Sequence, residues 1–409
     1  MKYIEWVNME ENVFHKKVYR AVKNNKWDTF IINMIKDLKW SFTLKRSLSL
    51  DSINGNLILF NENRTFNLLA SAIKINYEYK KIGEFAIFQA LDLIKNKYVY
   101  KPEKIYKSGV DISKENFVSS IFEGQQSQAV TIFKELLSEN LNMSEIKELL
   151  YFFSIINIED STHRKARNLG MKVCTTNEIF YLCSNFPDIK ENLLEWLIGF
   201  LSMPYIQISL FDITTYNQKF DEKWATGPRK IDKEVFEELY EGIYKKISVN
   251  SLLVKLFEDN YSLNTIRNAL NLVVLRFFVE RNIETPFYFI NLFDYINQTS
   301  IYYDHYRNLK AIKALFTQAN YLEIVLNERG GSGKDTKKYE QEDFDNTLED
   351  IVLNDLNHAN SLNYEFISCL ISEKKQSPSW ANVYFNKAIN KLNGFYERSR
   401  NLLEIYEKI

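Results

Sequence analysis

At 409 residues, 45% hydrophobic and 26% charged, the chain has the length and apolar content for two or three packed domains, which excludes disorder of the whole chain. With 52 Lys and Arg against 53 Asp and Glu there is no overall basic field, which argues against nucleic acid as a partner. The 12 Gly and 6 Pro are too few for the tight turns of a many-stranded β fold, so the composition predicts an all-α protein.

Helical periodicity dominates from the N-terminus. Phe14, Val18, Ala21 and Val22 share one face, as do Trp27, Phe30, Ile31, Met34, Ile35 and Leu38. Asp51–Phe60 is weaker and reads as a short strand or a loop. Helical spacing resumes at Thr65–Asn76 and Glu84–Lys95, and Tyr98–Tyr106 reads as a connector. The stripe Ala129, Val130, Phe133, Leu136 and Leu137 follows. A second helix then starts at Asn142 or Ser144 as the N-cap, and a third is expected over Asp160–Val173 with His163 on it. Leu193–Leu201 is helical, with Pro204 beyond it.

Lys219–Asp232 is polar, contains Gly227-Pro228 and breaks the pattern. Val235, Leu239 and Ile243 mark the next helix, and Ser262 caps a long one ending near Asn282. Thr285-Pro286 and Ser377-Pro378 each read as N-cap plus first-turn proline. Glu328–Asp343 reads as a surface loop. Phe385, Ile389, Leu392, Tyr396, Ser399, Leu403 and Tyr406 form a 4-3 seam suited to antiparallel packing within the fold. The expected architecture is an irregular array of antiparallel helix pairs, helical-repeat-like or a large bundle. Its halves would be 1–218 and 233–409 about a linker at 219–232, a single continuous domain being the alternative.

Charge is uneven along the chain. Residues 1–110 carry 19 Lys and Arg against 11 Asp and Glu, and the remainder carries 33 against 42. Complementary faces of one globule account for this; a basic N-terminal face for an anionic partner is the sharper alternative, marked by salt dependence. Cys174, Cys183 and Cys369 are odd in number and lack C-x-x-C spacing, which predicts buried thiols rather than a disulfide or zinc framework. The N-terminus has no apolar leader segment and no stretch reaches bilayer length, so a cytoplasmic chain with no membrane contact is expected.

Catalytic motifs are few. Asn327–Asp335 (NERGGSGKD) imitates a phosphate-binding loop, but Glu328 replaces its first glycine and Asp335 its hydroxyl residue, so an acid would face the phosphates. The four histidines are more suggestive. Asp160-x-x-His163 and Asp355-x-x-His358 each put a carboxylate and an imidazole on one helical face, the spacing by which helical bundles hold iron, manganese or zinc. Glu11 and His15 are also one turn apart, and Asp304 adjoins His305.

The segment Phe122–Asn185 has a further character: a Gly/acid turn, Ala129–Leu137, Ser144–Ile156, then the His163-bearing stretch. Over about 60 residues it resembles the all-helical region that accompanies Rieske-type ferredoxin domains in some prokaryotic proteins, and it is similar to questin oxidase-like helical proteins. That resemblance implies a helical partner or enzyme in a redox setting. No C-x-H ligand pair occurs, so this chain cannot hold a Rieske cluster itself.

Two functions are expected from these observations. One is a helical scaffold or partner-binding protein with a protein partner and no cofactor. The other is a metal-dependent or redox-associated helical enzyme whose site lies among Asp160, His163, Asp355 and His358, with Glu11 and His15 as outside candidates.

Overall fold

In the computed structural model, helices form wherever the apolar period of 3.6 residues is sustained. The structure describes residues 9–37, 65–97, 112–138, 142–156, 170–202, 221–283, 286–305, 309–328, 343–353, 361–394 and 406–408. The α-helices are α1 Glu11–Lys23, α2 Trp27–Asp37, α3 Thr65–Glu78, α4 Lys80–Lys97, α5 Lys114–Phe122, α6 Gln126–Ser138, α7 Met143–Ile156, α8 Met171–Asn185 and α9 Lys190–Leu201. After them come α10 Lys233–Tyr244, α11 Val249–Glu258, α12 Leu263–Glu280, α13 Phe287–His305, α14 Leu309–Glu328, α15 Phe344–Leu353, α16 Ser361–Gln376 and α17 Asn382–Asn393. The protein is all-α, and no strand occurs among the described residues. None of the described helices is long and apolar enough to cross a membrane. The stretch Asp51–Phe60, the connector Tyr98–Tyr106 and residues 329–342 of the polar loop lie outside the described residues.

Local chemistry sets the helix ends. Ser262 Oγ accepts from Thr265 N–H at 3.1 Å, Asp232 Oδ1 from Val235 N–H at 2.9 Å, and Asn142 Oδ1 from Ser144 N–H at 2.9 Å. Each satisfies a first-turn donor that no helical carbonyl can reach. Asn142, not Ser144, is thus the cap of α7. Two expectations need correction. Pro378 itself stands at the cap position of a short 3-10 turn, Ser379–Ala381, and Ser377 makes no cap. Nor does a helix run through to Val173. Gly170 has φ 67°, which no helix interior allows, and α8 starts at Met171.

Packing places α3 and α8 at the centre. Helix α3 packs on α4, α8 and α16; α8 packs on α9 and α13; and α13 packs on α12 and α16. At the α3–α4 turn the approach is so close that a Cβ on Gly83 would fall 2.1 Å from Asn76 Cα. Every residue from Gly170 to Phe180 is buried, so α8 is wrapped on all sides. Lysines serve as C-terminal caps in this interior. Lys172 Nζ donates to Leu201 O at 3.2 Å, and Lys391 Nζ donates to Arg281 O at 2.6 Å, where outward carbonyls of α9 and α12 need donors.

The polar stretch after Asp221 is also fixed in place. Trp224 stacks on Phe257 at 4.9 Å, Arg229 N–H donates to Asn260 O at 3.2 Å, and Arg229 pairs with Tyr261 in an isolated bridge. Residues 221–232 therefore pack on the α11–α12 corner. The first and second halves of the chain meet along α3–α16 and α8–α13.

Candidate functional site

The four sequence-predicted site residues Asp160, His163, Asp355 and His358 lie outside the described residues. The structure does, however, collect polar groups in two other places.

The larger collection lies inside the ring formed by α3, α8, α13 and α16, each of which packs on the next. On α3, Asn67, Ser71 and Lys74 follow one another at steps of four and three and so share a stripe. Thr175 and Glu178 do the same on α8, Asp294 and Gln298 on α13, and Glu365 and Cys369 on α16. Lys74 Nζ meets Glu178 Oε1 at 2.7 Å and Oε2 at 2.5 Å. Glu178 is fully enclosed, whereas the Lys74 side chain keeps 28% of its exposure, so this pair links the interior to the surface. Gln298 Nε2 donates to Glu178 Oε1 at 2.7 Å and reaches Cys369 Sγ at 3.7 Å. Asn177 Nδ2 donates to Gln298 Oε1 at 3.2 Å, and Asn67 Nδ2 donates to Glu365 Oε2 at 3.1 Å.

Other buried atoms of this ring have no hydrogen-bond partner. Among them are Asn67 Oδ1, Ser71 Oγ, Thr175 Oγ1 and Asn177 Oδ1. An unmet group of this kind costs about 1–3 kcal/mol, so these atoms are open to a donor from outside the protein, water included. The thiols are not set for attack. Burial pushes Cys369 well above its ordinary value, with Asp294 adding to the effect and Lys74 opposing it; burial pushes Cys183 up to about 12. A thiol held protonated is a poor nucleophile. All three cysteines are buried and none is in a disulfide, as their sequence setting predicts.

Next to the ring lies an ion pair of a different kind. Arg267 Nη1 donates to Glu373 Oε2 at 2.8 Å and Nη2 to Oε1 at 3.2 Å; Asn271 and Asn297 add donors to Oε2 at 2.9 and 2.6 Å. Burial works to raise Glu373, but Arg267 and the two amides outweigh it and hold the carboxyl below its usual range. With its acceptors fully used, this pair reads as a clamp joining α12, α13 and α16.

The smaller collection joins α1 to α4. His15 Nε2 lies 2.7 Å from Asp92 Oδ1, with both side chains nearly fully buried, and Glu11 stands one turn before His15. Ligand-capable atoms of the three residues all lie within 4.8 Å of one another. The rings of Phe88 and Phe14 wall the imidazole at 5.4 and 6.1 Å. Asp92 is the residue that sequence spacing could not supply, being 77 positions away on another helix.

Comparison with known proteins gives no family. No protein-family model matches the chain, and no curated protein or solved structure matches it. The functional reading therefore rests on these residues alone.

Proposed function

We propose that the chain is a helical binding protein. Its ligand, a small polar molecule bearing N–H or O–H donors, sits among α3, α8, α13 and α16. The observation that carries this reading is the set of enclosed, unpartnered acceptors and hydroxyls, Asn67 Oδ1, Ser71 Oγ, Thr175 Oγ1 and Asn177 Oδ1, beside the Lys74–Glu178 pair. Two amide oxygens and two hydroxyls call for a ligand that donates. Glu178, Glu365 and Asp294 outnumber Lys74 in the ring, which favours an amine or an amino alcohol over an anion. The raised thiols point to binding rather than covalent chemistry. Lys74, whose side chain keeps 28% of its exposure, stands where such a ligand would enter. A protein partner, the other expectation from the sequence, would find Tyr244 and Ile247 exposed at the end of α10, with Arg281 lying 5.9 Å from the Tyr244 ring centre.

The test compares the wild type with a Ser71→Ala/Thr175→Val double variant. Without ligand, removing two unpaired hydroxyls leaves stability unchanged or slightly higher. Thermal shift against a panel of amines, amino alcohols, amino acids and polyols should find a compound that raises the wild-type Tm by several degrees and leaves the variant unmoved. A panel without effect, or equal shifts in both proteins, would overturn the reading.

A further inference from the structure

Independently of the interior ring, the α1–α4 junction carries a second feature. Asp92 is enclosed beside His15, and a carboxylate can only accept, so their 2.7 Å contact places a proton on Nε2. In the neutral ring this leaves Nδ1 as a lone pair. That atom is buried, His15 being 1% exposed, and it has no hydrogen-bond partner. An imidazole whose far nitrogen is fixed by a carboxylate, and whose other nitrogen is bare, is the arrangement that protein metal sites use to orient a histidine ligand.

Glu11 completes the picture. It lies at i−4 to His15 on α1, so the helix itself delivers carboxylate and imidazole to one face. Unlike its two neighbours it is exposed, which gives an ion a way in and leaves room for water as further ligands. One ligand-capable atom from each of Glu11, His15 and Asp92 lies within 4.8 Å of the others, so Glu11 is a near neighbour of the imidazole, and its exposed side chain is the one able to adjust to an ion. One imidazole with carboxylates and no thiolate suits Zn²⁺, Mn²⁺ or Fe²⁺ over softer ions.

We infer that Glu11 and His15, with Asp92 holding the imidazole, form a binding site for a divalent transition-metal ion where α1 docks on α4. The site differs from the pairs Asp160/His163 and Asp355/His358 suggested by sequence spacing. Its orienting carboxylate, Asp92, comes from a second helix, so the imidazole that would hold the ion is set by the docking of α1 on α4.

The probe is the metal alone. Full-length protein, stripped with chelator, is titrated with Zn²⁺ and with Co²⁺, whose absorption reports nitrogen and oxygen ligation; elemental analysis gives the stoichiometry. The wild type should bind one equivalent, and its Tm should rise with metal concentration. Glu11→Gln, an exposed change that leaves the core intact, should weaken binding at least tenfold. His15→Gln should abolish it, with circular dichroism confirming that the variant is folded. Asp92→Asn should weaken it by about 10–100-fold, as loss of an orienting partner does. A His163→Ala/His358→Ala double variant should bind as the wild type does. The inference fails if the wild type takes up no metal, if Glu11→Gln and His15→Gln bind unchanged, or if only the His163→Ala/His358→Ala variant loses the ion.

Discussion

Arg267→Ala should destabilise the protein by about 3–5 kcal/mol, the usual result of stranding one member of an enclosed ion pair. Glu373 would keep the donors of Asn271 and Asn297 but lose the bidentate guanidinium, and its side chain is only 1% exposed. The loss should appear as a fall in the urea midpoint with an unchanged slope, since the surface exposed on unfolding is the same. Arg267→Met/Glu373→Gln should recover at least half of it. The charge goes from both sides, while the glutamine carbonyl still accepts from the two asparagines. An Arg267→Ala protein as stable as the wild type would show that the clamp is dispensable. The same pair fixes an acid limit. Glu373 is depressed in the folded state, so its contribution is fully present above the unfolded value of about 4.3 and is lost as pH falls through the lower folded value. Between about pH 5 and pH 3, Glu373→Gln should show a flatter decline in stability than the wild type.

Gly170→Ala should cost about 2–5 kcal/mol. Two effects add. A left-handed backbone at φ 67° costs an L-residue about 1–2 kcal/mol. The new methyl would also sit 2.3 Å from Tyr295 Cγ, an overpacked contact that costs about 1–3 kcal/mol more. Because Tyr295 belongs to α13 and Gly170 sets the start of α8, the strain falls on the register that brings Thr175 and Glu178 toward Gln298. The variant should therefore lose Tm and ligand response together. Thermal denaturation with and without the compound found for the wild type checks this; a variant with unchanged Tm would contradict the close approach of α8 and α13.

The helices themselves were readable because burial repeats every 3.6 residues: Phe14, Val18 and Val22 on α1 and Phe385, Ile389 and Leu392 on α17 are each at most 1% exposed. The same logic failed at α8. Lys172, Thr175, Thr176, Asn177 and Glu178 are polar, yet all are buried, because the helix is surrounded; Glu178 and the Asn177 amide nitrogen are met by other helices, while Thr175 Oγ1 and Asn177 Oδ1 are not. Polar identity is a sign of exposure only where water is the cheapest partner. The stripe Asn67, Ser71 and Lys74 was hidden likewise, between Leu68, Leu69, Ala70, Ala72 and Ile73, which are buried as well. Its signal, in retrospect, is the spacing of four and three on a helix apolar over most of its circumference. Ser377-Pro378 misled because the same dipeptide serves a 3-10 turn, and Gly170 ended an expected helix through a backbone angle that no composition reveals. At the α1–α4 junction, Glu11 and His15 could be paired from sequence. Asp92 could not, since nothing local encodes which helix docks on which.

A high-resolution crystal structure of the purified protein tests most directly what meets the unpartnered atoms among α3, α8, α13 and α16. The prediction is non-protein density within hydrogen-bond distance of Asn67 Oδ1, Ser71 Oγ and Thr175 Oγ1, fitted by one donor-bearing molecule. Those atoms bonded only to ordered water, or closed upon one another by side-chain rotation, would contradict it.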